Sequence, residues 1–321
     1  MDVMGALEKI VGPKRVTNRP SICHSYKYNC FLGKEWEMKP DIVVLAETTD
    51  EVSKIIKAAN EYLVPVTPKG AMGGGGLGGT FRGGILLDLS LMEKIISIDV
   101  DRLKAVAEAG CSFYTLSQEL FKRGLMLPTP AYDCGPSVAA SAITPANGFG
   151  KTKYGPNIDL VEGFEVVLPS GEVARVGAMA YADSDFGPFY RYITGPDLVG
   201  LFTKSNGAFG IVTKVAYQCL LLPKHWSFHC YYWPFKQLPD VTKTLMEATT
   251  TPPIKCDPFP LMRADPGSAQ MVQKGSKERF EAYGGLEREI GKRRAGWVRI
   301  VYRLFLFHEK GPSVRDPRYV S

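Results

Sequence analysis

The chain has 321 residues, of which 45% are hydrophobic and 22% charged, and its net charge is +6. This length allows one large domain and part of a second, and the weak positive charge without a long basic run argues against a nucleic-acid partner. No apolar stretch approaches the roughly 18 residues of a membrane-spanning helix, and the first residues lack the apolar core of a signal peptide. The seven cysteines form no C-x-x-C pair, which favours reduced thiols, a cytoplasmic location and no metal or iron–sulfur site.

The first α/β unit follows an N-terminal extension, residues 1–39, that opens with a helix over 2–11. Residues 42–45 predict a buried strand, and 49–62 predict a helix capped by Thr48 or Thr49. One face of this helix is apolar at helical spacing: Val52, Ile55, Ile56 and Ala59. A second strand is predicted at 64–67, immediately before the most unusual stretch of the chain.

That stretch is the glycine loop, residues 68–84, which holds nine glycines in seventeen residues. Glycine at this density allows backbone N–H groups to converge on an anion, whereas flexible linkers are usually polar and are not held between two apolar segments. A Rossmann loop would open a helix and a Walker A loop would carry Gly-Lys-Ser/Thr, but here the strand 85–89 follows. The loop therefore predicts a phosphate cradle between two strands.

Further elements follow the loop. Residues 105–109 predict a strand, and 111–123 predict a helix with Leu116, Leu120 and Phe121 facing inward. A small-residue segment lies at 136–144, a Tyr-Gly loop at 148–155, a strand hairpin at 161–172, and a helix, a turn and a strand at 195–222. The composition shifts after Pro223, where strands are predicted at 226–233 and 297–307 and helices at 238–248 and 277–294.

Four blocks of sequence, at 40–70, 136–144, 148–172 and 195–213, resemble in content and order the flavin-binding domain of the vanillyl-alcohol oxidase and p-cresol methylhydroxylase superfamily. The chain is also similar to the FAD subunits of glycolate and D-lactate dehydrogenases. The resemblance implies an α+β fold: a two-subdomain PCMH-type FAD-binding domain over 40–223, then a partial α+β substrate (cap) domain over 224–321. Family members usually continue for more than a hundred further residues through the rest of the cap.

The resemblance also implies a set of cofactor contacts in these blocks. They are Pro68, Lys69, Gly70, Ala71, Met72, Gly73, Gly74, Gly75, Gly76, Leu77, Ser137, Ala140, Ser141, Thr144, Gly148, Tyr154, Gly210 and Ile211. Gly210 and Ile211 are expected near the adenine end. Because no histidine lies in the glycine loop, the FAD is expected to be held non-covalently.

Two departures from the family bear on the site. Ala139 and Ala140 stand where glycines are usual, which is tolerable only if φ is negative there. Pro156 stands where phenol-oxidising members place an acid, so that Asn157 or Asp159 is left to reach the same place, or neither does.

Several charged or titratable side chains are candidates for roles near the flavin. Lys69, Lys151 and Lys153 are possible cations beside the ring, and Tyr154 and Asp159 are possible bases; each has an ordinary structural explanation as well. The catalytic residue stays unassigned.

The resemblance implies an FAD-dependent oxidoreductase subunit. It would take hydride from a small alcohol, 2-hydroxy acid or alkylphenol-like substrate and pass electrons to a partner. That partner would be a second subunit completing the cap, or an iron–sulfur, cytochrome or electron-transfer flavoprotein acceptor. The alternative is an inactive structural or interaction subunit that kept the fold and lost the flavin. A third reading, peripheral membrane attachment through basic and apolar residues of 293–307, competes with strand alternation in the same segment.

Overall fold

We analysed a computed structural model of the chain. The structure describes residues 3–26, 39–71, 80, 83–128, 136–144, 154–184, 190–192 and 195–222, and the short segments 229–234, 243, 256–258, 262–263 and 297–304. The chain divides into two units, one comprising Met1–Phe149 with Tyr154–Leu222 and the other Gly150–Lys153 with Pro223–Ser321.

The first sheet of the first unit contains the strands that flank the glycine loop. Its strands are β1 (Val16–Thr17), β2 (Ile42–Leu45), β3 (Val66–Lys69) and β4 (Ile85–Asp88), in the order β1-β2-β4-β3. β2, β4 and β3 are parallel and β1 is antiparallel to β2. Three helices accompany this sheet: α1 (Val3–Val11), α2 (Pro20–Ser25) and α3 (Thr49–Glu61). The glycine loop therefore connects two parallel neighbours, β3 and β4, as the sequence predicts.

Helix α3 forms where the hydrophobic pattern places it. The Thr48 side chain caps its first turn by accepting a hydrogen bond from the Glu51 N–H at 3.2 Å. All four residues of the predicted apolar face are buried. Strand β3, in contrast, begins two residues later than predicted because Val66 is the residue that pairs with Ile85. Pro68 and Lys69 are consequently strand residues, and the loop proper starts at Gly70.

The second sheet is antiparallel throughout. It consists of β5 (Ile95–Asp99), β6 (Lys104–Glu108), β8 (Val161–Val167), β9 (Val173–Gly177) and β10 (Ile211–Gln218), in the order β5-β6-β10-β8-β9. Two short strands, β7 (Leu125–Met126) and β11 (Leu220–Leu221), pair with each other. The helices of this part are α4 (Phe113–Phe121), α5 (Val138–Ile143) and α6 (Val199–Phe202). A parallel and an antiparallel sheet in one unit confirm the α+β prediction for the fold.

Helix α4 is shorter than the predicted 111–123, and the prediction that Phe121 faces inward is wrong. Leu116 and Leu120 are buried, but Phe121 is 42% exposed. The aromatic side chain that enters the core is Phe113, whose ring meets that of Tyr217 at 5.9 Å between centroids. Consecutive helix positions are rotated by about 100°, so Leu120 and Phe121 cannot both face a narrow core.

One hydrophobic core joins the N-terminal residues to both sheets. Leu7 of α1 and Val16 of β1 are buried in the same cluster as Val44 of the parallel sheet and Phe164 and Val215 of the antiparallel sheet. Residues 3–17 therefore pack within the first unit, although the sequence treats 1–39 as an extension.

The second unit contains a small antiparallel sheet. Its strands are β12 (His229–Pro234), β13 (Cys256–Pro258), β14 (Met262–Arg263) and β15 (Trp297–Leu304), and β15 pairs with the other three. The helices predicted at 238–248 and 277–294 lie outside the described residues, apart from position 243. Across the described ranges, none of the helices has the length and apolarity to cross a membrane.

Candidate cofactor site

The first contact of the site is the close approach of Gly70 to Ser137. A Cβ added at Gly70 would lie 2.1 Å from the Ser137 Oγ and 2.8 Å from its Cβ. The chain needs glycine here because any side chain would displace Ser137. The start of the glycine loop is thereby fixed against the start of α5, and residues of both segments belong to the predicted cofactor contacts.

Ser137 is completely buried and caps α5. Its hydroxyl accepts a hydrogen bond from the Ala140 N–H at 3.1 Å. The backbone of Ser137 also forms an isolated antiparallel β-bridge with that of Ser112. Ala139 and Ala140 both lie in the helix, and neither is among the described non-glycine residues with positive φ. Their methyl groups are therefore tolerated, which removes one reason given above for a lost cofactor.

Of the four buried side-chain atoms that lack a hydrogen-bond partner within the described residues, two stand in or contact the segments of the predicted site. They are the Thr80 hydroxyl, from the glycine loop, and the Oδ1 of Asn157, whose Nδ2 donates to the Ser141 Oγ at 3.3 Å. Thr80 is 1% exposed and Asn157 is 2% exposed. Buried polar groups are rarely left unpaired in native proteins, so both atoms are suited to a polar ligand. Neither atom belongs to a predicted cofactor contact. The position of Thr80 within the glycine loop is the sequence signal that could have identified it.

Lys69 does not extend towards solvent at the mouth of the loop. Its ammonium lies 3.3 Å from the Asp88 Oδ2 and donates to the Gly70 carbonyl at 3.1 Å. Lys69 and Asp88 are directly paired across β3 and β4, so both side chains stand at the ends of their strands, beside the loop.

A cavity of about 250 Å³ lies at Gly210 and Ile211, the predicted adenine end of the site. Pro68, Gly210 and Ile211 line it together with residues of α3 and of the turn between β8 and β9. A Cβ added at Gly210 would meet the Val167 carbonyl oxygen at 2.8 Å, so glycine is required for β10 to start this close to β8. Most of its lining residues are apolar, although polar and apolar atoms contribute about equally to the cavity surface.

The remaining predicted residues divide into two groups. Thr144 ends α5, and its hydroxyl donates a hydrogen bond to the Ala140 carbonyl at 2.7 Å. Tyr154 lies three residues before the 3-10 turn Asn157–Leu160. Asp159, a candidate base, lies against Gly155, where an added Cβ would meet its Oδ2 at 2.3 Å. Met72, Gly73, Gly74, Gly75, Gly76, Leu77, Gly148, Lys151 and Lys153 lie outside the described residues.

A family model with the description "FAD binding domain" matches residues 40–177. The chain contains an FAD binding domain. The matched region includes both sides of the Gly70–Ser137 contact, the Thr80 hydroxyl and Asn157. The unpaired polar atoms and the close approach of Gly70 to Ser137 therefore fit the group that this domain type holds.

The FAD binding domain also has named relatives. The chain is 30% identical over 241 residues to a D-lactate dehydrogenase of Anaerostipes hadrus, a match that spans 74% of this chain and 48% of the relative. It is 31% identical over 209 residues to the flavoprotein subunit of 4-cresol dehydrogenase (hydroxylating) from Pseudomonas putida, which spans 64% of this chain and 39% of that protein. The chain thus spans about half the length of the curated relatives it matches, or less.

Among solved structures, the 4-ethylphenol oxidase of Gulosibacter chungangensis in complex with isoeugenol shares the fold. It superposes with a TM-score of 0.75 over 95% of this chain and 59% of that chain, at 24% sequence identity. This likeness confirms the PCMH-type fold that the sequence predicts.

Proposed function

We propose that this protein is an FAD-dependent oxidoreductase that takes hydride from a small alcohol, 2-hydroxy acid or alkylphenol-like substrate. The observation that carries the proposal is the coincidence of three features in the FAD binding domain. Gly70 packs on Ser137 without room for a side chain, Thr80 and Asn157 keep buried polar atoms unpaired, and Pro68, Gly210 and Ile211 line one cavity. The named relatives act on D-lactate and 4-cresol, which gives the range of substrates.

FAD, when bound, supplies an isoalloxazine ring that accepts hydride. The residues of this chain would bind and orient it. Backbone N–H groups of the glycine loop and the N-terminal end of α5 would face its diphosphate, and the cavity beside Ile211 would take its adenine end. The Thr80 hydroxyl and the Asn157 Oδ1 would each gain the partner that they lack within the described residues. No histidine lies in the glycine loop, so the proposal includes non-covalent attachment.

We also propose that electrons leave through a partner protein, which would be either a second subunit or a separate acceptor. The name of the Pseudomonas relative, a flavoprotein subunit, supports this part. Co-purification of a stoichiometric second polypeptide is the expected result. A monodisperse chain that turns over substrate fully by itself would contradict it. A cytoplasmic location belongs to the same proposal, since the cysteine pattern is its basis.

Ala139 and Ala140, in place of the usual glycines, would favour the inactive-subunit alternative only if φ were positive there, and both lie in a helix. An absorption spectrum of the purified protein, before and after acid precipitation, separates this alternative from the proposal. Flavin bands that pass into the supernatant establish a non-covalent flavoprotein. A protein that stays colourless with added FAD overturns the cofactor and with it the oxidoreductase.

The substrate class is tested by anaerobic bleaching of the bound flavin. D-lactate, glycolate and 4-cresol are added separately, and loss of the visible flavin bands with one of them identifies the class. L-lactate serves as the matched control, since it differs from D-lactate only in handedness. A flavoprotein that none of these compounds reduces, in the presence of its partner, would contradict the proposed range of substrates.

A further inference from the structure

A buried carboxylate connects the N-terminal segment to the start of the glycine loop. Asp88, at the end of β4, is 2% exposed and accepts hydrogen bonds from the Tyr26 hydroxyl at 2.9 Å, the Lys69 ammonium at 3.3 Å and the Ser90 N–H at 2.8 Å. The Lys69 ammonium also lies over the Tyr26 ring, 5.5 Å from its centroid. We call Tyr26, Lys69 and Asp88 the Asp88 clamp. Burial and the Asp88 carboxylate raise the pKa of Tyr26 to about 12, so its phenol keeps the proton that it donates.

The Asp88 clamp fixes the direction of the first peptide of the loop. Lys69 donates to the Gly70 carbonyl at 3.1 Å, which turns that oxygen towards the ammonium. In a planar trans peptide the C=O and the following N–H point in opposite directions. The Ala71 N–H therefore points away from Lys69. The clamp thus sets the orientation of the first amide that a cradle at this loop would offer to an anion.

Two roles are open to Lys69: a cation beside the flavin ring, or a residue that orients the start of the loop. The two roles require different surroundings for its ammonium. A cation that stabilises reduced flavin must keep its charge uncompensated at the ring. Lys69 instead pairs with a carboxylate that is itself 3% exposed, and its second bond goes to the loop backbone. In a low-dielectric setting such a pair attracts strongly and leaves little net charge for a neighbour.

We propose that the Asp88 clamp orients the Gly70–Ala71 peptide, the first of the glycine loop, for the cofactor diphosphate, with Tyr26 and Asp88 holding Lys69 and Lys69 holding the Gly70 carbonyl. Tyr26 and Lys69 are positioning residues in this scheme. The inference rests on the proposed FAD function. It also assigns a cofactor-binding role to Tyr26, a residue upstream of the FAD binding domain match.

The test begins with titration of the flavin-free wild-type protein with FAD, followed by flavin fluorescence. Failure of the wild type to bind FAD overturns the proposed function itself. Given wild-type binding, Tyr26→Phe and Lys69→Met are expected to raise the FAD Kd by about tenfold or more. Tyr26→Phe removes one hydrogen bond to the Asp88 carboxylate, and Lys69→Met removes both the ion pair with Asp88 and the bond to the Gly70 carbonyl. Tyr114→Phe, on the exposed face of α4, and Lys54→Met, at a surface pair on α3, are the matched controls and should bind as the wild type does.

The reduction potential of the bound flavin separates positioning from direct charge stabilisation. Positioning predicts that both clamp variants weaken FAD binding and leave the potential unchanged, and that Lys69→Arg, which keeps the pair with Asp88, restores most of the affinity. A lowered potential in Lys69→Met with a normal Tyr26→Phe would make Lys69 the flavin's own cation and overturn the clamp. Wild-type affinity in Tyr26→Phe would overturn it as well. Circular dichroism of the flavin-free variants confirms that they are folded.

Discussion

The two sheets of the first unit each bury a carboxylate, and they use it differently. Glu165 lies in the middle of the antiparallel sheet on β8 and is 2% exposed. Thr49 and Thr213 donate to its Oε1 at 2.7 and 3.1 Å, Lys214 lies 3.0 Å from the same oxygen, and Arg175 donates to Oε2 at 2.9 Å. Asp88 lies at the end of a parallel strand, and its side-chain partners are Tyr26 and Lys69.

The partners show what each carboxylate does. Those of Glu165 stand on α3, β9 and β10, which are regular elements, so this group fastens α3 to the antiparallel sheet. Those of Asp88 stand just after α2 and just before the glycine loop, so this group holds a loop rather than two layers. Burial of a charge costs free energy in both places, but only Asp88 lies beside the candidate site.

The largest effect that would sharpen this contrast is expected from Glu165→Ala. Truncation leaves Arg175 and Lys214 without their buried partner, and we expect the free energy of unfolding to fall by about 3 kcal/mol. Chemical denaturation measures it. Glu119→Ala, which breaks an ion-paired carboxylate on the surface of α4, is the control and should cause no measurable change. Equal losses in the two variants would show that Glu165 does not fasten the sheets.

Gly70→Ala is expected to lower the free energy of unfolding less than Glu165→Ala does, but to weaken FAD binding more. The new methyl group would meet the Ser137 Oγ at 2.1 Å, so Ser137 must move, at a cost of about 2 kcal/mol. FAD titration should show weakened binding as well. Gly124→Ala is the control, since its φ is 71° and an added Cβ there meets nothing within 4 Å. It should cost backbone strain without loss of FAD affinity.

The caps of α4 and α5 provide a matched pair. Ser112 and Ser137 accept from the N–H groups of Thr115 and Ala140 at 3.0 and 3.1 Å, but only Ser137 touches the start of the glycine loop. Ser112→Ala and Ser137→Ala should each lower the free energy of unfolding by about 1 kcal/mol. Only Ser137→Ala should weaken FAD binding. Equal FAD affinities in the two variants would remove Ser137 from the cofactor site.

The smallest effect is expected from pH. Burial acts to raise the pKa of Glu165, but the hydrogen bonds from Thr49, Lys214 and Arg175 outweigh it and the pKa lies below its ordinary value. A lowered folded-state pKa contributes stability above the unfolded pKa of about 4.3, and this contribution is lost as the pH falls through the folded value. Acid unfolding of the wild type should therefore steepen below that point, and Glu165→Gln should flatten this part of the curve. Identical acid limbs would contradict the network.

Local patterns predicted the regular elements well and side-chain partners poorly. Strand β2 and the four buried positions of α3 follow from apolar spacing, which acts over one turn or one strand. The error at Phe121 arose because an apolar residue at a helix edge satisfies the same spacing as a buried one. Lys69 stands next to a glycine loop in the sequence, and only the pairing of β3 with β4 brings it to Asp88, nineteen positions further along the chain.

From glycine density and hydrophobic periodicity, which are local features, the sequence by itself predicted a glycine-rich loop between two strands, and its resemblance to a known family implied the α+β fold and the FAD binding domain. The tertiary structure alone decided that Gly70 meets Ser137, that Ala139 and Ala140 are harmless in a helix, and that Tyr26 reaches Asp88. These contacts join residues that are far apart along the chain. Sequence spacing carries no distance information at that range, and the contacts exist only once the sheets and helices have packed together.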